Sequence, residues 1–422
     1  MSKKRVLWLT NTPALLTEEI TGRPVVEGSW ITALQEALVT NDEFELHIAF
    51  MSAGKLPPEV KKEGVTYHPM PRTGKLSRLL RRLFLITHTR GELEYLKSLI
   101  TKIDPAMVHV FGTESFFGLI SDEINIPVLV QIQGIVASFI PVYFGNLGFK
   151  KIALTAGIID FLSGGVVFRY LGEKQRASRE SAILSKARFV MGRTEFDRDY
   201  SSMMNPNRIY FHLDDPLRKE FFEEGTRSKN SGDVQLLTVI HAEYYKGLDL
   251  LFAAAGQLRK TGVDFTWNVV GISRDDHLCN VILRAMDIGE VPESVILNGK
   301  ISGPELAGIM RRSDIYIHTS FIENPSNAIC EALAIGLPVI AARVGGIPSI
   351  IEDGVTGLFY ERGSAEELVE KIRFLIDNPG KAGELGNFAR AAALKRHDTN
   401  RITEELVKIY SKVMGEQSSA DS

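Results

Sequence analysis

Glu323 and Glu331 stand eight residues apart in the string IYIHTSFIENPSNAICEALAIGLPVIAARVGGIPSIIEDGVTGLFY, residues 315–360. The β-branched and aromatic run that ends at His318 reads as a strand. Glu323-Asn324-Pro325-Ser326 reads as a short loop, and a helix follows from Asn327, a residue type suited to an N-cap. Glu331 then lies one turn into that helix, and both carboxylates can point at one cleft. Between them the amides of the helix N-terminus face outward with the positive end of the dipole behind them, which suits a phosphate. Two carboxylates beside a phosphate site suit the vicinal hydroxyls of a ribose and a sugar, because a carboxylate accepts several hydrogen bonds. Taken singly, each glutamate reads as an ordinary surface acid; the string as a whole carries the case.

Other chemistries find less footing. No GxGxxG follows a strand, and Gly271-Ile272-Ser273-Arg274 is not a dinucleotide loop, so a nicotinamide or flavin enzyme is disfavoured. GxxxxGK[ST] and GxSxG are absent. Asp197-Arg198-Asp199 is formally a DxD, but it lies within Glu195–Met203, which reads as a helix, and no metal site is expected there. The nine histidines show no ligand spacing and the two cysteines, Cys279 and Cys330, form no CxxC. Two cysteines in 422 residues also argue against a disulfide scaffold and for a reducing compartment. A net charge of −3 argues against a nucleic-acid partner.

The elements that must position these groups alternate. At about 150 residues per domain, the length implies two or three domains. Strands are expected at Val6–Thr10, Phe44–Phe50, Val65–Met70, Met107–Phe111 and Pro127–Gln131, with a helix over Glu27–Val39. A polar stretch, Glu223–Asp233, marks the domain boundary. Beyond it come strands at Val234–Ile240, Phe265–Val270, Val295–Leu297, Ile315–His318 and Pro338–Ala342. Helices at Gly247–Leu258, Pro304–Met310 and Asn327–Ala334 separate them. The last ten residues read as a frayed tail. Alternating strands and helices imply parallel sheets covered on both faces. The expectation is thus an α/β protein of two Rossmann-like domains facing a central cleft. The first spans residues 1–222, with a helix near 398–414 packed back on it, and the second 223–397.

The string 315–360 resembles the retaining glycosyltransferases of the large GT-B "glycosyl transferases group 1" family (family 4 in the common sequence classification). The match runs through Glu323, Glu331–Ala334, Gly336, Pro338–Ala341, Gly345, Gly346, Pro348 and Asp353–Gly357. Gly192–Asp197 and Leu217-Arg218-x-x-Phe221-Phe222 look like bacterial enzymes of surface-polysaccharide assembly. The resemblance implies a nucleoside-diphosphate sugar as donor substrate and neither cofactor nor metal. It implies that Glu331 holds the ribose hydroxyls, Glu323 faces the donor sugar, and backbone amides around Pro325, Ser326, Asn327 and Ala328 meet the sugar and diphosphate. Lys246 matches the lysine that neutralises the diphosphate. Gly299, Lys300 and Ile301 match the segment that lies against the base. Gly28 matches the glycine loop that approaches the phosphates from the first domain. The implied partners are the nucleotide sugar and a glycan or lipid-linked acceptor, in capsule, O-antigen or exopolysaccharide assembly.

Two departures stand out. Ile240-His241 replaces a common Gly-Arg, so one diphosphate cation becomes a partly protonated histidine. Gln133-Gly134 replaces a common His-Gly; Gln133 takes no proton but can hydrogen-bond donor or acceptor. Two other readings stay open: a glycosidase acid–base pair of Glu323 and Glu331, and an inactive sugar-nucleotide binder.

Membrane contact is read from two stretches. Between residues 72 and 90 there are six Lys or Arg and no acid, and Arg78, Arg81 and Arg82 oppose Leu76, Leu79, Leu80 and Leu83 on a helical wheel. That is either an anionic-membrane surface or a solvated helix face. Residues 128–168 carry only Lys150, Lys151 and Asp160 as charges, and read as a buried or lid helix pair, a lipid-facing surface or a membrane span. The N-terminus lacks the long apolar core of a signal peptide. Location in the cytoplasm, peripheral to the inner face of the plasma membrane, follows.

Overall fold

The computed structural model describes residues 3–12, 30–52, 59–71, 86, 88–162, 165–223 and 232–420. The chain divides into two compact units. The first contains Met1–Ala137, Phe168–Pro216 and His397–Ser422; the second contains Ser138–Val167 and Leu217–Arg396.

In the first unit eight strands form one sheet: β1 (Lys4–Thr10), β2 (Phe44–Ser52), β3 (Val60–Lys62), β4 (Val65–Pro71), β5 (Met107–Phe111), β6 (Val128–Gln131), β7 (Phe189–Gly192) and β8 (Ile209–His212). Their order is β3-β4-β2-β1-β5-β6-β7-β8, and only β3 runs antiparallel to its neighbour. Val6, Leu7, Trp8 and Leu9 of β1 are all fully buried, because helices cover both faces of a parallel sheet. The described helices are α1 (Trp30–Val39), α2 (Arg90–Ile103), α3 (Val136–Phe139), α4 (Gly148–Leu162), α5 (Val166–Lys186) and α6 (Glu195–Met204), with α13 (Thr399–Ala420) at the end of the chain. Of these, α4 lies in the segment grouped with the second unit, and α3 straddles its start at Ser138.

The second unit has six parallel strands: β9 (Val234–Val239), β10 (Phe265–Val270), β11 (Val295–Leu297), β12 (Ile315–His318), β13 (Val339–Ala342) and β14 (Leu358–Tyr360), in the order β11-β10-β9-β12-β13-β14. Its further helices are α7 (Leu248–Arg259), α8 (His277–Met286), α9 (Gly303–Arg312), α10 (Asn327–Ile335), α11 (Ala365–Asp377) and α12 (Pro379–Arg396). Both sheets are doubly wound. The order reverses between β1 and β5 in the first unit and between β9 and β12 in the second. Loops leaving two adjacent strands at such a point diverge and open a crevice, where ligands of α/β sheets bind.

Several elements differ from the sequence expectation. The strands β3, β7, β8 and β14 are three or four residues each, too short for periodicity to stand out. The helix α10 is capped by Ser326, whose hydroxyl accepts from the Ile329 amide at 3.4 Å, with Asn327 its first residue. The frayed tail is instead part of α13, which runs to Ala420. Ile402, Leu406, Ile409, Tyr410 and Val413 keep a helical spacing and are all buried, so the apolar stripe holds the helix beyond residue 412.

The compact units also differ from the division 1–222 and 223–397. The polar stretch taken for the boundary lies mostly in residues 224–231, outside the described residues. Leu217–Phe222 groups with the second unit, where the Arg311 guanidinium donates to the Glu220 carbonyl at 2.6 Å. Ser138–Val167 does so too, for three reasons. Phe139 stacks on Tyr245 with centroids 4.9 Å apart, Asp249 accepts from the Asn146 amide at 3.2 Å, and α4 packs on α8. The apolar run in this segment is no single helix: α4 breaks at Gly157, at φ 82° and ψ 172°. No helix among the described residues is long and apolar enough to cross a membrane.

The helix α13 returns to the first unit and packs against α1, and one buried hydroxyl ties it to the sheet. Tyr410 Oη accepts from the Trp8 indole N–H at 2.9 Å and meets His109 Nδ1 at 2.7 Å. Replacing Tyr410 by Phe strands both buried partners, at a cost of about 1–3 kcal/mol. The expected result is a lower urea midpoint for Tyr410→Phe at unchanged slope; an unchanged midpoint would show that the tie contributes nothing.

Candidate functional site

Within the second unit the loops after β9 and β12 leave neighbouring strands at the switch point, and backbone contacts lock them together. The Phe321 amide donates to the Tyr245 carbonyl at 2.7 Å, and the Thr319 hydroxyl donates to the Lys246 carbonyl at 2.8 Å. Gly247 caps α7 at φ 75°, and a Cβ there would fall 2.1 Å from the Thr319 carbonyl oxygen. Only a residue without a side chain permits that approach.

The stitching sets Lys246 against Glu323. The ammonium lies 2.5 Å from Glu323 Oε2, and both groups are largely buried. His318, at the end of β12, brings Nε2 to 3.5 Å from the same oxygen, and the Ser320 hydroxyl donates to it at 3.4 Å. The Gly346 amide, after β13, fixes the Glu323 carbonyl at 3.0 Å. Burial by itself would raise the Glu323 pKa; the Lys246 ammonium and then His318 outweigh it and hold the carboxyl well below the usual range.

Glu331 meets a different environment. It is buried in α10, and Arg218 donates to its Oε1 through Nε at 3.0 Å and Nη2 at 2.7 Å. Burial wins over this cation and raises the Glu331 carboxyl to about 7, with Glu220 adding to the rise. Between the two carboxylates the first turn of α10 opens after Pro325 and Ser326, with Asn327 exposed and Ala328 half-buried.

His241, directly after β9, stays exposed at its edge. Desolvation of its ring, then Lys246, and also Lys300, lower its pKa to about 4. It is thus neutral at neutral pH in this structure, not partly protonated as its residue type suggested. Gly299 is at φ 67° and exchanges backbone hydrogen bonds with the loop after β10: its amide donates to Ile272 at 2.9 Å, and its carbonyl accepts from Gly271 at 2.7 Å. Lys300 is exposed and Ile301 half-buried beside it.

The structure therefore brings Lys246, His241, Glu323, Glu331, Gly299–Ile301 and Pro325–Ala328 into one unit, on loops and a helix start at one sheet edge. Gln133 belongs to the first unit, in the loop after β6. Its Nε2 is buried without a hydrogen-bond partner among the described residues. That loop is held by Glu180 of α5, a fully buried carboxylate that accepts from the Thr113 hydroxyl and the amides of Val136 and Ala137. At the switch point of the same unit the Asn11 amide donates to Glu114 Oε1 at 2.9 Å. Gly28, Arg78, Arg81 and Arg82 lie outside the described residues. Asp197 does capping work instead of holding a metal: its carboxylate accepts from the amides of Arg193 and Thr194. No cluster among the described residues has the makings of a metal site.

Sequence reasoning missed Arg218 and His318 as parts of the site. His318 sits inside the strand signal, where burial and not chemistry is the default reading. Arg218 stood in view in the Leu217–Phe222 string, but nothing in its spacing from Glu331, 113 residues on, announces a contact.

The family model for glycosyl transferases group 1 matches residues 220–392. D-inositol 3-phosphate glycosyltransferase of Arthrobacter sp. (strain FB24) is 33% identical over 170 residues, 39% of this chain and 38% of that protein. Its counterpart in Pseudarthrobacter chlorophenolicus is 29% identical over 40% of each chain. The chain thus spans about two fifths of the length of these relatives. Sucrose-phosphate synthase from Thermosynechococcus elongatus superposes with a TM-score of 0.73 at 16% identity, over 98% of this chain and 100% of that one. Anabaena HepE, solved in complex with UDP-glucose, gives 0.64 at 16% identity over 97% and 100%. At these identities the likeness establishes the fold, which is GT-B.

The close approach at Gly247 is directly testable. Gly247→Ala adds a Cβ against a carbonyl and forces a left-handed conformation that by itself costs about 1–2 kcal/mol. A lower thermal midpoint is expected, together with loss of whatever Lys246 and Glu323 do jointly. A variant as stable as the parent would mean the two loops are not clamped there.

Proposed function

Residues 220–392 belong to the glycosyl transferases group 1 family, and from that premise we propose that the protein is a retaining, metal-independent glycosyltransferase. Its donor is a nucleoside-diphosphate sugar, and its acceptor a glycan or lipid-linked glycan of bacterial surface polysaccharide. The observation that carries this reading is the Lys246–Glu323 pair beside the open first turn of α10. A buried cation and a helix N-terminus converge where a diphosphate would lie, and two carboxylates flank it. That HepE was solved with UDP-glucose supports the choice of donor class.

In this mechanism Lys246 exchanges Glu323 for the diphosphate, and Glu323 turns its freed oxygen to hydroxyls of the donor sugar. As the glycosyl–phosphate bond breaks, negative charge grows on the leaving diphosphate. Lys246 and the amides of Ser326, Asn327 and Ala328 stabilise it in a site with little water. The acceptor hydroxyl enters on the face the diphosphate leaves and passes its proton to that departing group, so configuration is retained without a protein nucleophile. Gln133 contributes an amide to donor or acceptor. His241 gains a reason to protonate only when the diphosphate arrives, because its present charged neighbours are mostly cationic. A glycosidase pair would need no lysine on Glu323, and the Lys246 contact tells against it.

Two variants and a chelator test the assignment. Lys246→Ala should cut turnover strongly and weaken UDP binding. Glu331→Ala should weaken UDP binding by about 1.5–3 kcal/mol, the worth of hydrogen bonds to a charged group. EDTA should leave the wild-type rate intact. Binding that both folded variants retain in full would sink the roles given to these residues. Activity lost to chelation and restored by magnesium would overturn the metal-free mechanism.

The segment 72–90, most of which lies outside the described residues, is proposed to rest on the anionic inner face of the membrane. Changing Arg78, Arg81 and Arg82 to Glu should release the protein from anionic vesicles, since each basic residue near such a surface is worth about 1 kcal/mol. Nucleotide binding should be unchanged. Wild-type protein that fails to float with anionic vesicles at low salt would make a soluble acceptor the better assignment.

A further inference from the structure

Arg218 is the side chain of the second unit that the proposed chemistry leaves without a task. Its two donors both end on Glu331 Oε1, which fills the acceptor capacity of that oxygen. Glu331 Oε2 has no hydrogen-bond partner among the described residues, and it is the oxygen left over for a ligand. Arg218 is itself held. Its guanidinium lies over the Phe221 ring at 4.7 Å, and a Cβ at Gly303, the first residue of α9, would come within 2.7 Å of Nη1. A guanidinium wedged in this way cannot swing out to meet a phosphate without unpacking the segment Leu217–Phe222.

We propose that Arg218 is a positioning residue for ribonucleotide recognition: it caps one oxygen of Glu331 with two donors and aims the other oxygen at the vicinal hydroxyls of a ribose. The inference rests on the nucleotide reading of Glu331 given above. It adds a specificity, ribose over 2′-deoxyribose, and names the residue that enforces it. The charged and titratable groups facing Glu331 are few. Arg218 and Glu220 come from the Leu217–Phe222 segment, and the buried Tyr316 from β12. Burial and Glu220 oppose ionisation of Glu331, and Arg218 alone supports it. Without the guanidinium, Glu331 takes up a proton at a higher pH than in the parent and loses an acceptor.

The experiment is calorimetric titration with UDP and 2′-deoxy-UDP from pH 6 to 8.5, on wild type, Arg218→Gln, Arg218→Lys and Glu331→Gln. Wild type should prefer UDP by at least about tenfold at pH 8, because a site built to hydrogen-bond a hydroxyl rejects the analogue that lacks it. Its UDP affinity should fall as the pH drops below about 7. In Arg218→Gln the sugar preference should collapse, and the fall with pH should begin at higher pH and approach tenfold per unit. Arg218→Lys restores the charge but not the fork, and should recover the pH profile more than the sugar preference. A merely structural role would weaken UDP and 2′-deoxy-UDP alike and leave the profile in place, which would overturn the proposal. If wild type and Glu331→Gln bind both nucleotides equally, the reading of Glu331 fails first. If Glu331→Gln loses the preference and both Arg218 variants keep it, the reading stands and the role of Arg218 falls. Should Arg218→Gln not fold, the wild-type profile and Arg218→Lys decide.

Discussion

The site depends on an ion pair that neither partner could hold alone. Lys246 and Glu323 are both largely buried, and an isolated charge in such a place is costly enough to shift its own pKa or unfold its surroundings. The pair survives because two loops are held in register before the charges meet. Parallel pairing of β9 with β12 sets the strand ends side by side. The Phe321 and Thr319 hydrogen bonds then close the gap, and Gly247 makes room for them. A pair held this way is poised for exchange. In the proposed mechanism an anionic ligand that takes the lysine leaves Glu323 open to new donors.

The same economy of charge explains why two glutamates on one short stretch differ so much. Glu323 faces a cation within the loop stitching and stays ionised; Glu331, eight residues on, is buried in α10 and is drawn toward protonation despite Arg218. Chemically identical groups are given different states by their environments. His241 is the counterpart on the basic side. Desolvation of its ring, then Lys246 and also Lys300, lower its pKa, so the positive charge of the site comes mainly from Lys246 and the helix end.

In the first unit Arg179 is the buried cation, and its guanidinium donates to the Glu114 carbonyl. Asn11 and Glu114 meet where its strand order reverses, and the next loop carries Gln133. Glu180 holds that loop by its backbone, satisfying a buried carboxylate with three donors. Gln133 is presented there with a side-chain Nε2 that bonds to none of the described residues. Ser138–Val167, which follows directly, is bound by aromatic stacking and by Asp249 to the second unit. No composition break marks the start of that segment, because the residues on either side of Ser138 are alike in being mostly apolar.

Local physics was legible in the chain itself. Strand and helix alternation, the parallel sheets and the long strands followed from periodicity and burial. The exit of Glu323 from a strand and the place of Glu331 in a helix followed from spacing along a few turns of backbone. These properties belong to neighbours in sequence, and the pattern that produces them lies within a dozen residues. Tertiary structure decided what depends on distant partners. It chose Arg218 for Glu331 and His318 for Glu323, withheld the proton from His241, and gave Asp197 a helix cap to hold. It also carried α13 through the apparent tail by burying Val413, and took Ser138–Val167 into the second unit. In each case the deciding term is desolvation or a contact between side chains brought together by the sheet order. A linear spacing does not encode either, because both depend on which strands the fold places side by side.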